Sequence, residues 1–204
     1  MRLHHFPQST CSRRVRMTAF HLGVPLELVT VNLAKGKQHA PEFLALNPNH
    51  RVPVLEDDGF VLWESYAIQQ YLAERTPGQL LYPADARARA DISRWMYWCG
   101  QMLMPGVGAL NWERLYKGLS GQGAADPAEE ARAEAGLRFA GQVLDQHLGT
   151  RQWMCGETLS LADFANAAPL ADQHRARYPL ADFVHLQRWL RQVQALPAWG
   201  ATEG

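Results

Sequence analysis

Three short stretches hold the residue types that could do chemistry. Ser9-Thr10-Cys11-Ser12 places three hydroxyls and a thiol just ahead of a helical stripe. A hydroxyl near a helix start can donate to an anion. A thiol beside Arg13 and Arg14 can have its pKa lowered and exchange disulfides. Val52-Pro53 is the second stretch. Proline cannot donate to a strand ladder, so its place in an apolar run needs a reason. A cis Val52-Pro53 bond would leave Val52 showing its own amide and carbonyl to something other than a neighbouring strand. Glu64-Ser65 is the third. Ser65 at a helix start brings unpaired backbone amides and a hydroxyl, a small carboxylate site. Val52 and Ser65 are thus two anchoring points for a peptide-like ligand. His4, His5, His21, His147 and His185 show no metal-ligand spacing, so no metal is expected.

The elements that must position these residues follow from periodicity. Arg2 to Phe6 reads as a strand ending at Pro7. Val15, Ala19 and Leu22 mark a helix that Gly23 stops. Leu26 to Val31 is a second strand, parallel to the first in a βαβ unit. Lys35 to His39 is a polar loop, and Phe43, Leu44 and Leu46 make a helical turn before Asn47-Pro48. Val52–Leu55 and Phe60–Leu62 form a hairpin about Asp58-Gly59. Ile68, Tyr71 and Leu72 then carry a helix to Thr76-Pro77-Gly78. Beyond Pro83 the periodicity is helical throughout. One helix runs from Ala86 to about Gln101 and is kinked or broken at Pro105-Gly106. Another opens at Pro127 and stops at Gly149. Ser160 and Asp163 fit a capping box, and a last helix spans about Phe183 to Leu196.

At 204 residues the chain can form one large domain or two small ones. Twenty basic and twenty acidic side chains cancel, which favours neither nucleic acid nor an anionic membrane. No apolar run is long enough to span a bilayer, and the N-terminus has no signal pattern. Three cysteines, an odd number without paired spacing, argue against a disulfide framework and for a reducing, cytoplasmic setting.

Val52-Pro53, Glu64-Ser65 ten residues on, and the following Ala67-Ile68 and Tyr71-Leu72 together resemble the glutathione-binding half of cytosolic glutathione transferases. The stretch 9–16 is similar to that of the serine-type theta-, phi- and zeta-like members, and 159–164 to the family's buried capping box. The resemblance implies an α/β thioredoxin-like N-terminal domain over 1–80. An all-α C-terminal domain over 86–204 would follow and contribute the electrophile pocket. It implies a glutathione transferase that activates the thiol of glutathione for attack on a small hydrophobic electrophile. Glutathione is then a co-substrate, with no separate cofactor, and the enzyme a homodimer. Ser9 would assist ionisation, with Cys11 as the alternative. Val52, ahead of Pro53, would pair with the cysteinyl backbone, and Glu64 and Ser65 would hold the γ-glutamyl end. Gln38 would approach the glycine carboxylate, assisted by His39, His50 and Arg51. Met104, Gly108, Leu110 and Trp112 would line the second-substrate pocket. Arg13, Arg14 and Arg16 read as ordinary salt-bridge or dimer-rim residues. Three other functions stay open: zeta-like glutathione-dependent cis-trans isomerisation, Cys11-based thiol-disulfide exchange, and non-catalytic binding of glutathione or a partner.

Overall fold

The computed structural model describes residues 1–203. It divides into two compact units, one of residues 1–82 with 195–203 and the other of residues 83–194. The first is built on a four-stranded sheet of order β2-β1-β3-β4, from β1 (Arg2–His5), β2 (Glu27–Thr30), β3 (Val54–Asp57) and β4 (Phe60–Trp63). β1 runs parallel to β2 and antiparallel to β3, which is antiparallel to β4. Asp58 (φ 47°) and Gly59 (φ 86°) both take the positive φ that a two-residue hairpin of this twist requires.

Side-chain alternation gives the sheet two different faces. Leu3 and Leu55 point to one side, where they pack with Val15, Ala19, Ile68 and Leu72. Those residues come from α1 (Thr10–Leu22) and α3 (Ser65–Glu74). Val31 and Val54 pack with Phe43 of the one-turn α2 (Pro41–Leu44) in a separate cluster. α1 ends as expected at Gly23, whose φ of 68° suits a residue without Cβ. Two 3₁₀ turns, Leu33–Lys35 and Lys37–His39, fill the loop before α2.

The second unit contains no strand of the sheet. Its first helix, α4 (Ala86–Trp98), runs through a π-turn at Cys99–Leu103 into α5 (Met104–Asn111), and a second π-turn spans Trp112–Tyr116. The chain stays helical where a break at Pro105 is expected. Pro105 lies in the first turn of α5, where a missing N–H is tolerated. α6 (Pro127–Leu148) starts with Asp126 accepting from the amide of Ala128 at 2.8 Å. α7 (Leu161–Ala167) is buried along its whole length, and α8 (Val184–Gln194) follows. Residues 195–203, within the 86–204 expected on sequence grounds to be helical domain, group with the first unit. There α9 (Pro197–Gly200) packs on α1, with the Arg13 guanidinium 4.1 Å from the centroid of the Trp199 ring.

Candidate active site

Strand register gathers the expected residues at one end of the sheet. β1 and β2 both end there, β3 begins there, and β4 ends there. The loop after β1 leads to Ser9 and α1, and the loop after β2 leads to Gln38. Val52-Pro53 enters β3, and Glu64-Ser65 leaves β4 into α3. Adjacent strands lie about 4.8 Å apart, so β1 and β4 are separated by roughly 10 Å. An extended tripeptide spans about the same distance.

Ser9 is the N-cap of α1: its Oγ accepts from the amide of Ser12 at 3.1 Å. Accepting that bond leaves the hydroxyl proton free to donate and polarises it toward an anion. Thus the turn-capping role and a donor role are compatible in one side chain. Buried Ser12 takes a long bond from the amide of Phe6, 3.4 Å, at its own Oγ. Cys11 is half-buried and forms no disulfide.

The first two turns of α1 carry Arg13, Arg14 and Arg16, and its first turn has no acidic residue. That arrangement works against the helix dipole, which favours anions at this end. Local rules are broken in this way chiefly at functional or strained sites. Arg13 donates to the Trp199 carbonyl at 3.1 Å and Arg16 to the Pro7 carbonyl at 2.9 Å. Burial, and then Arg13, lower the pKa of Arg16. Arg14 is no rim residue. It is 1% exposed, stacks on the Tyr66 ring with its guanidinium carbon 4.5 Å from the centroid, and donates to Ser65 Oγ at 3.4 Å. Its carbonyl accepts from Thr18 Oγ1 at 2.9 Å, which in turn accepts from buried Gln69 at 2.8 Å. The sequence holds a signal for this that the stripe alone hides: Arg14 and Thr18 flank Val15 and Ala19 on the buried face.

The Val52-Pro53 bond is cis. The ladder of β3 starts only at Val54, so Val52 stands outside its pairing with β1 and β4. Buried Asn47 shapes the preceding loop. It donates to the Arg51 carbonyl at 2.7 Å and accepts from the amide of Asn49 at 3.0 Å. His50 sits at φ 57° within that loop, and both His50 and Arg51 are exposed. Glu64, also exposed, holds φ 72° and ψ 110° at the head of α3. For a residue with a Cβ this conformation costs about 1–3 kcal/mol, a strain that concentrates at functional sites. Ser65 behind it is buried.

Gln38 Nε2 faces His39 Nε2 at 3.1 Å, and His39 Nδ1 faces His50 Nδ1 at 2.9 Å. Among the described residues the buried Gln38 Oε1 has no hydrogen-bond partner. Rotating that amide by half a turn keeps the contact with His39 and turns the unpartnered position into an N–H donor, the group a carboxylate needs. In the helical unit Trp112 and Gly108 are exposed and Met104 is half-buried. Leu110, expected in the second-substrate pocket, is instead packed in the core at 0% exposure and offers no pocket wall.

Comparison with known proteins identifies the family. Residues 1–74 match the family model of the glutathione S-transferase N-terminal domain, and residues 110–197 that of the C-terminal domain. Glutathione S-transferase D7 of Drosophila melanogaster is 31% identical over 200 residues, which cover 97% of this chain and 86% of the fly protein. The chain belongs to the glutathione S-transferase family. As a glutathione transferase it is an enzyme with a thioredoxin-like first domain. Among solved structures, poplar glutathione transferase F1 is 26% identical with a TM-score of 0.89, over 98% of this chain and 95% of that one. FzlA from C. crescentus is 29% identical with a TM-score of 0.87, over 98% and 90% of the two chains. Among the described residues of the transferase, no helix is long and apolar enough to cross a membrane. Nor do three or more His, Cys, Asp or Glu residues gather into a metal-binding group.

One titration at the site has a defined outcome. His5, on the α1-facing side of β1, is 4% exposed, and burial followed by Arg16 pushes its pKa down to about 4. In the unfolded chain the ring titrates near 6.5. The folded transferase therefore keeps His5 neutral while the unfolded chain takes up a proton, and stability is lost as pH falls from about 6.5 to about 4. The full loss is roughly 3 kcal/mol. His21 and half-buried His147, also shifted downward by desolvation, act in the same direction. Urea unfolding of wild type and His5→Leu at pH 7 and pH 4.5 is expected to show a smaller acid loss in the variant. Equal losses would remove His5 from the account.

Proposed function

We propose that this transferase ionises glutathione at the head of α1 and lets the thiolate attack a small apolar electrophile. The observation that carries the reading is Ser9, a helix cap whose hydroxyl proton remains available to a sulfur in front of it. Free glutathione, with a thiol pKa of about 8.5, is only a few per cent thiolate at pH 7. Each pKa unit removed by a donor and a positive field is worth ~1.4 kcal/mol. Three arginines at the positive end of a helix supply that field. The thiol proton leaves to water on binding, and no side chain needs to act as general base. The sulfur then forms its bond to the electrophilic carbon, and any leaving group departs with the bonding pair.

The backbone of Val52, ahead of Pro53, pairs with the cysteinyl unit. Ser65 and the amides at the start of α3 take the γ-glutamyl carboxylate, and exposed Glu64 takes its ammonium. Gln38, His50 and Arg51, assisted by His39, approach the glycine carboxylate. Met104, Gly108 and Trp112 contact the electrophile. Residues 1–80 form the glutathione-binding domain, and the helices that follow supply the electrophile's contacts. The serine-type class, a homodimeric state and a cytoplasmic location complete the proposal.

Immobilised glutathione should retain the protein, and a panel of aryl halides, peroxides, disulfides and maleyl diacids should reveal turnover with aryl halides. Ser65→Ala is expected to raise the KM for glutathione about tenfold with kcat nearly unchanged, the mark of lost uniform binding. Turnover confined to disulfides, and abolished by Cys11→Ala, would move the enzyme to thiol exchange. Turnover confined to maleyl diacids would make it an isomerase, and retention without turnover a binding protein.

A further inference from the structure

Within the helical unit a cleft of about 310 Å³ opens between α8 and the segment 173–181 that precedes it. Val184, Gln187 and Arg191 recur at helical spacing, so a single face of α8 makes one wall. None of the lining residues is assigned to glutathione or to the electrophile. Buried Tyr178 supplies a ring at the base, and its hydroxyl is spent on Asn111 at 2.6 Å. Beside it two glutamines meet. Gln187 Nε2 donates to the Leu180 carbonyl at 3.0 Å, which settles which end of that amide carries hydrogen. Its other N–H goes to Gln173 Oε1 at 3.1 Å. Gln173 Nε2 then has two hydrogens and a single contact, to Gln187 Oε1 at 3.5 Å, longer than an ordinary hydrogen bond. Gln173 is 8% exposed, so a buried donor with unspent capacity borders the cleft.

At the mouth stand Arg191 and His174, both exposed. Among the described residues neither side chain has a hydrogen bond or an ion pair. No carboxylate is in the lining, and Asp172, next to Gln173 in the chain, is already paired with Arg175 at 2.8 Å. A buried amide donor below an uncommitted guanidinium is an arrangement that takes an oxyanion. Arginine's planar fork meets two oxygens of a phosphate or carboxylate at once, and such charge-assisted bonds are about twice as strong as neutral ones. The apolar wall is limited to Ala181, Val184 and the tyrosine ring, too little to hold a large greasy body. We infer that this cleft binds a compact, hydrophilic small molecule through a phosphate or carboxylate group held by Arg191 and Gln173, with His174 beside it. The assignment does not depend on glutathione binding.

Glycerol 3-phosphate and glycerate carry the two candidate groups on similar bodies, with glycerol as the neutral control. Titrated by calorimetry into the full-length protein at physiological ionic strength, at least one of the two anions is expected to bind at a single site per chain. It should bind at least tenfold tighter than glycerol, and the tighter of the two names the group. Arg191→Gln, at an exposed position, should fold normally and weaken that binding at least tenfold. Arg138→Gln makes the same charge change at an exposed position of α6 and should leave it unchanged. Gln173→Met, with folding checked by circular dichroism, should weaken it as well; if that variant does not fold, Arg191→Gln decides. Absence of binding by both anions, equal binding of glycerol, unchanged affinity in a folded lining variant, or an equal loss in Arg138→Gln would each overturn the site.

Discussion

Ser9→Gly is expected to lower kcat/KM for conjugation about a hundredfold at neutral pH, whereas Ser9→Thr keeps most of the activity. The choice of glycine matters because Ser9 does two things. As N-cap it satisfies the amide of Ser12, and alanine there would cost about 1 kcal/mol of stability. Glycine at an N-cap costs only a few tenths, so it removes the hydroxyl while sparing the helix. What is lost is one donor aimed at a developing or resident anion, worth about 10²–10³ in rate when the site is preorganised. A hundredfold corresponds to about two units in the pKa of the bound thiol, or ~3 kcal/mol. The thiolate can be followed directly by its ultraviolet absorbance as pH is raised over the binary complex. Wild type should ionise bound glutathione below pH 7, and Ser9→Gly close to the free value. Cys11→Ala should leave both curves in place. Full activity in Ser9→Gly together with loss in Cys11→Ala would assign the chemistry to the thiol.

Much of the first unit was legible because local signals and the global fold agree there. Asp58-Gly59 demanded positive φ at both turn residues, and the turn supplies it. Gly23 ended α1 where the apolar stripe ended. The juxtaposition of Ser9, Val52 and Ser65 follows from strand order alone, once β1 is parallel to β2 and antiparallel to β3. What escaped depends on packing between distant residues. Arg14 looks like a surface cation in composition, yet it lies at the buried face and reaches Ser65, 51 positions away. The tail is similar: Trp199 meets Arg13 across 186 positions, and no periodicity in 183–196 points to it. The π-turns at 99–103 and 112–116 have no residue signature of their own, so Pro105 read as a break. Leu110 lay close to the exposed Trp112 in sequence, but a helix turns the two side chains to different faces.

In the helical unit the largest stability effect belongs to Asp163. Its carboxylate is 0% exposed and accepts from four donors. Oδ2 takes the Ser160 amide at 2.8 Å and the Ser160 hydroxyl at 3.0 Å. Oδ1 takes the Met154 amide at 2.9 Å and the Trp189 indole N–H at 2.8 Å. One side chain thus ties the cap of α7, the loop before it and the core of α8. Burial raises its pKa, and the four donors pull the other way. Removing the carboxylate strands those donors in a dry interior, each costing about 1–3 kcal/mol with incomplete additivity. Asp163→Ala is therefore expected to lose about 4 kcal/mol or more, a large share of the 5–15 kcal/mol typical of a domain. Asp163→Asn keeps the shape and two of the four acceptor contacts, but it turns an N–H₂ toward the remaining pair, so it should be only partly better. Ser160→Ala removes one hydroxyl and should cost about 1 kcal/mol. Chemical unfolding followed by tryptophan fluorescence separates these cases, because Trp189 reports on the same cluster. A loss for Asp163→Ala no greater than that for Ser160→Ala would show that the buried carboxylate ties nothing beyond its own helix cap.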